Sequence, residues 1–317
     1  LTRSPQSEVY ALIESDLQAA ISALPLEKST NGRATSLTAH ALLGKVYLYQ
    51  EKFDEAASIL EPLIGLYSLP DDPQSTFLKG GENGSESVYE IQHTKESNWW
   101  DWGYVPQGTE GNFGVIHHGI RGYNGPLYSS GWSFNVPTQD LVDAYSAGDK
   151  RKNVAILDIE AWADQTGASF AKGYEHTGYF NNKYIPRAGE SQAQQELNYE
   201  TNYRAIRYAD VLLMAAEANN RSSSPNVSKA QNYLNQVRER AYGNSSYASS
   251  STGTTLTQEI WDERRLELAG EGSRFFDLVR TGQAAAVISG FVAGKHELFP
   301  IPQTEIDVSN LTQNPGY

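Results

Sequence analysis

Cysteine is absent from this chain. Disulfide frameworks, thiol nucleophiles, zinc–thiolate sites and iron–sulfur clusters are therefore excluded together. Positive charge is scarce: 25 Lys and Arg face 38 Asp and Glu, a formal net charge of −13. That balance disfavours nucleic acid, whose binders need basic patches, and disfavours polyanionic ligands and acidic lipid surfaces. No run of 18 apolar residues lacks a charge, and the chain opens on Leu1 without an initiator Met or a signal peptide. What is present is a globular composition of 317 residues, with 39% hydrophobic residues and an aromatic set dominated by 19 Tyr and 6 Trp. Rings that carry a polar handle suit half-wet recognition surfaces.

Apolar residues recur at helical spacing over 5–24, and Pro25 closes the run. Ser36 is placed to cap a second helix over 36–50, and a third follows over 53–66. Leu43-Gly44, Tyr47, Phe53, Ala56, Leu60 and Pro62 give these two helices the spacing of a tetratricopeptide hairpin, without that motif's early Trp. From 67 to 199 helical periodicity fades, Gly and aromatics crowd in, and only 87–92 looks strand-like, with one helix near 138–145. Helices are expected again over 203–220, 227–241 and 256–281. Gly270 and Gly272 interrupt the last, and Thr255 with Gln258 offers it a capping box. Residues 243–254 read as a flexible Ser/Gly/Thr loop and 296–317 as extended.

Several blocks then resemble one family. ESVYEIQ at 86–92, GW at 131–132 followed by NVPTQDLVDAY at 135–145, and RYADVLLM with AEA at 207–218 occur in the order found in SusD/RagB-like proteins. So do ERRLELA at 263–269 with RFFDL at 274–278, and FPIP at 299–302 with the ending NPGY. The resemblance implies a mainly α fold: a tetratricopeptide-like scaffold over 1–66 and a SusD/RagB-like region over 67–317, forming one compact body with a large loop-rich ligand face and few short strands. It further implies an outer-membrane, cell-surface lipoprotein of the Bacteroidetes type. Such a protein captures oligo- or polysaccharide without cleaving it and delivers it to a SusC-like TonB-dependent transporter. The family's lipoprotein signal, acylated cysteine and first helices do not occur in this sequence. The resemblance therefore implies the C-terminal majority of a longer precursor, with membrane association through a lipid anchor outside it. A tetratricopeptide adaptor for proteins or peptides, and a polysaccharide-cleaving enzyme, are the alternatives.

The chemistry for an enzyme is thin. Glu259, Glu263, Glu267 and Glu271 repeat every four residues and offer carboxylate pairs of the kind glycosidases use. Arg264, Arg265, Arg274 and Arg280 lie close enough in sequence to neutralise them. No nucleotide-binding glycine loop, nucleophile elbow or HExxH motif occurs. No cofactor is expected; calcium held by carboxylates and carbonyls of the acidic loops is the one alternative, without an EF-hand pattern.

The expected ligand segment is 97–104, where Trp99, Trp100, Trp102 and Tyr104 fall within six positions. They fit no single helical face, and in a strand Trp99 and Trp100 point to opposite sides. Indole faces stack on the C–H face of a pyranose while Asn98 and Asp101 hydrogen-bond its hydroxyls. His117, Tyr123 and Tyr128 are expected at the rim, and Trp132 in packing. The competing reading has these rings covering the scaffold. The acidic balance favours a neutral glycan such as a glucan.

Overall fold

The structure, a computed structural model, describes residues 3–96, 110–191 and 198–317. Helix α1 (Gln6–Ala23) leads into the antiparallel pair α2 (Ser36–Tyr49) and α3 (Phe53–Leu60), the hairpin that the spacing predicted. The cap of α2 is Thr35, one residue before Ser36: its hydroxyl accepts the Thr38 amide and its own amide donates to the Thr38 hydroxyl. Gly44 permits the close approach of the pair, because a Cβ there would lie 2.3 Å from Leu60 Cδ2.

The scaffold closes around α8 (Tyr208–Arg221), a helix buried on nearly every side. α9 (Val227–Tyr242) and α10 (Gly253–Glu267) pack against it together with α3. Leu43, Leu48 and Leu60 from the first hairpin share one core with Leu212, Leu213, Leu234 and Ile260. Burying such side chains stabilises by about 1.5–3 kcal/mol each, which is why residues more than 150 positions apart are held together.

Three expected boundaries move, the first where α3 ends at Leu60 with a single 3-10 turn over Glu61–Leu63 in place of a helix reaching 66. Residues 203–207 are not helical; Tyr203–Arg207 forms strand β4, antiparallel to β1 (Ser87–Ile91), with Glu90 opposite Arg204 and Ile91 opposite Tyr203. Pairing with β1 satisfies its backbone, and the strand's two-residue period turns Arg204 inward, so tertiary context overrides the helical pattern that resumes at Tyr208. Helix α10 begins at Gly253 after Thr252, so Thr255 lies inside it and caps nothing. The break at Gly270 and Gly272 is where expected: both adopt left-handed backbone (φ +78° and +86°) before α11 (Arg274–Arg280).

The loop-rich layer from 67 to 200 carries short elements of its own. They are α4 (Gly114–His117), α5 (Gln139–Ala144) and α6 (Arg151–Ala155), then β2 (Ile156–Asp158), α7 (Ile159–Thr166) and β3 (Tyr179–Asn181), with β2 antiparallel to β3. Beyond α11 come α12 (Ala284–Val287) and α13 (Gln303–Val308), and α13 interrupts the 296–317 tail that was expected to be extended.

A buried ionic network bolts this layer to the scaffold. Arg207 donates to Glu86 (2.6 Å), Glu267 (2.6 Å) and Glu271 (2.7 Å); Arg240 also reaches Glu267. From the loop layer, Arg151 reaches Glu263 (2.5 Å) and Lys183 reaches Glu271 (2.6 Å). The glutamate stripe is thus neutralised, but by cations distant in sequence. Arg264 turns instead to Asp210 and Asp277, and Arg265 to Asp140, because on α10 these two project from a different face than the glutamates, while Arg280, on the separate helix α11, pairs with Glu217.

Candidate functional site

The tryptophan segment falls outside the described residues, and with it Asn98, Trp99, Trp100, Asp101, Trp102 and Tyr104. The described chain on either side of it is tied together. The Thr94 amide donates to the Glu110 carbonyl (3.0 Å), and the Asn112 amide to the Tyr199 carbonyl (2.7 Å).

Directly beyond lies a shelf of half-exposed rings. Phe113, 48% exposed, precedes α4, whose last residue is His117. The His117 ring stands 4.8 Å from Trp132, nearly perpendicular to it, and 5.9 Å from both Phe113 and Phe134. Trp132 rests on Val115, Ile116 and Tyr199, while Phe134 is 55% exposed.

The shelf is rigidly made. The amides of Gly131, Trp132, Ser133 and Phe134 donate in turn to the carbonyls of Ile120, Ile116, Gly119 and His117, at 2.7–3.0 Å. Ser133 and Asn135, on either side of Phe134, both take positive φ (59° and 51°), a conformation that costs non-glycine residues energy and is found at sites where a side chain must be presented. Gly119 and Gly131 press backbone to backbone: a Cβ on Gly131 would lie 2.4 Å from the Gly119 Cα. Arg121 Nη2 donates to the Trp132 carbonyl (2.8 Å), setting a cation at the shelf's edge. Burial, and then the neighbouring His117, pulls the His118 imidazole down to about 4, so it is neutral near pH 7. Flat apolar rings with a few polar groups at the margin are the surface a sugar ring needs.

The structure places His117 in this shelf and buries the other two rim candidates, Tyr123 (8% exposed) and Tyr128 (7%). Tyr123 donates to the Pro126 carbonyl (2.6 Å) and accepts from Trp162 Nε1 (2.9 Å). The Tyr128 ring meets Trp162 at 5.3 Å. Both tyrosines therefore pack the core of the loop layer with Ile120, Leu157 and Phe180. Phe113 and Phe134 escaped the sequence reading. The only local signal was Phe134 between Ser133 and Asn135, two residues that favour turns.

The glutamate stripe is unsuited to acid–base chemistry. Burial alone would raise the Glu267 and Glu271 carboxyls, but the surrounding guanidiniums, Arg240 and Arg207 foremost, outweigh it and hold both below the ordinary 4.5. A glycosidase acid needs the opposite shift. Among the described residues no group of three or more His, Asp and Glu is arranged to hold a metal ion.

A helical scaffold carrying a loop-rich face with presented aromatic rings suits a binding protein, and the comparisons supply its family. Residues 158–296 match the SusD family. The chain is 30% identical to SusD-like protein P2 of Formosa agariphila, over 100% of this chain and 66% of that protein. Its fold is similar to that of a laminarin-binding SusD-like protein, with a TM-score of 0.88 and 41% identity, over 99% of this chain and 70% of that one. It is also similar to surface glycan-binding protein A of Bacteroides thetaiotaomicron in complex with laminarihexaose, with a TM-score of 0.83 and 28% identity, over 97% and 70% of the two chains. The chain belongs to the SusD family. It spans 66% or less of the curated relatives it matches.

Proposed function

We propose that this chain is the glycan-binding part of a cell-surface SusD-like lipoprotein. It captures a neutral β-glucan and passes it uncleaved to a SusC-like TonB-dependent transporter. The observation that carries the reading is the half-exposed shelf of Phe113, His117, Trp132 and Phe134, in a chain 41% identical to a laminarin-binding protein. A neutral His118 and a net charge of −13 favour an uncharged sugar over a sulfated or uronate-rich one. Trp99, Trp100 and Trp102 stay ligand candidates in this proposal on their chemistry alone, since flat indole faces stack on the C–H face of a sugar ring.

A polysaccharide panel in native affinity gels tests it. Retardation by laminarin without new reducing ends is expected, and Trp99→Ala, Trp100→Ala or Trp102→Ala should each weaken binding. Release of reducing ends would make the protein an enzyme. Capture of peptides with no retardation on any glycan would make it an adaptor.

A further inference from the structure

The 135–138 turn that follows Phe134 forms one wall of a cavity of about 510 Å³. Val136, Leu141, Ala269 and Leu278 give it apolar sides, and its volume falls in the range of roughly 300–1,000 Å³ typical of small-molecule sites. Its cationic members are Arg265 and Arg274. Arg265 is taken by Asp140.

Arg274 is half-buried and makes no hydrogen bond or ion pair with any described residue, and the acids nearest it are committed elsewhere. Asp277 accepts from Arg264 (3.1 Å) and Arg280 (2.8 Å), and Asp262, at the surface, accepts from Gln258 (2.9 Å). The buried arginines 151, 207, 240, 264 and 280 meet carboxylates, whereas Arg274 shares with buried Arg187 the lack of a carboxylate partner among the described residues. Burial and the like charge of Arg265 both lower the Arg274 pKa, with Asp277, Asp262 and Asp140 acting in the other direction. A guanidinium at the edge of an apolar cavity with no counter-ion is stabilised by a carboxylate that reaches it, and its planar fork fits one in bidentate fashion.

We propose that this cavity is a second binding site, for an amphipathic carboxylate. The apolar body lies against Leu141, Ala269 and Leu278, and the carboxylate pairs with Arg274, with Arg265 adding positive potential. The site does not depend on the glycan reading. A free small organic acid and the C-terminal carboxylate of a peptide present the same chemistry, and the test separates them.

The chain is titrated with octanoate, with octanamide, and with an Ala-Leu-Phe tripeptide in free-acid and amidated forms, by calorimetry and by amide chemical shifts. Saturable octanoate binding is expected, with shifts at 136–141 and 269–278, and the amide should bind at least about tenfold more weakly for want of the charged pair. Arg274→Gln should abolish the binding while leaving the melting curve unchanged, and Arg274→Lys should keep a weakened form of it. Binding by the free-acid tripeptide and not octanoate would assign the site to a chain end. Equal binding of acid and amide, no saturable binding of any probe, or full affinity in Arg274→Gln would overturn the proposal.

Discussion

Glu267 shows how much a single side chain carries. It takes hydrogen bonds from Arg207 (2.6 Å), Arg151 (3.2 Å) and Arg240 while almost wholly buried. Glu267→Gln leaves three guanidiniums short of a counter-charge, and breaking a buried ion pair from one side costs about 3–5 kcal/mol. A urea midpoint lowered to match, with laminarin binding retained by the folded fraction, is the expected outcome. His118 acts in the opposite sense because it is stable only when neutral. Its folded pKa of about 4 lies below the ordinary 6.5, so its contribution is full above pH 6.5 and fades as pH falls towards 4. About 3 kcal/mol is involved. His118→Phe should flatten the stability profile across that window, as read by denaturant titration at stepped pH.

Elements translate such residues into a presented surface. The shelf depends on the contact of Gly119 with Gly131, where a methyl group would meet backbone on both sides. Gly131→Ala should therefore cost about 1–3 kcal/mol of overpacking strain and displace Trp132 and Phe134 together. Weakened glycan binding beside an intact helical circular dichroism spectrum would show it. The helices themselves were largely legible in the sequence. α1, α2 and α9 fall within a residue or so of their apolar periodicity, and the Gly270 and Gly272 break was readable from composition. The 203–207 strand was not, since its partner β1 lies more than 110 residues earlier and a local window does not see it. Nor was the shelf. It is assembled by hydrogen bonds between 116–120 and 131–134, and no spacing rule marks an exposed Phe as presented rather than packed. Tyr123 and Tyr128 show the converse: Tyr is as suited to a loop-rich core as to a rim, and the sequence does not say which.

At the scale of the whole molecule, the ionic network joins the loop layer to a core drawn from both ends of the chain. Unfolding is expected in one cooperative transition, seen as coincident fluorescence and circular dichroism curves. Acid should be its weak point. Glu267, Glu271, Glu217 and Asp210 are all held below their ordinary 4.5 or 3.8 against the pull of burial. Their stabilisation is complete above about pH 5 and is lost as pH falls below those values, because the unfolded chain then binds more protons. The scaffold thus serves to hold a ring-bearing face in a fixed shape, and the most direct test is calorimetric titration of laminarihexaose into the native chain and into Phe134→Ala. The account predicts saturable binding by the native chain. It also predicts that the variant, with an unchanged melting curve, loses about 1–3 kcal/mol of apolar contact, roughly five- to 150-fold in affinity. Equal affinity in the two proteins, or no binding by the native chain, would contradict it.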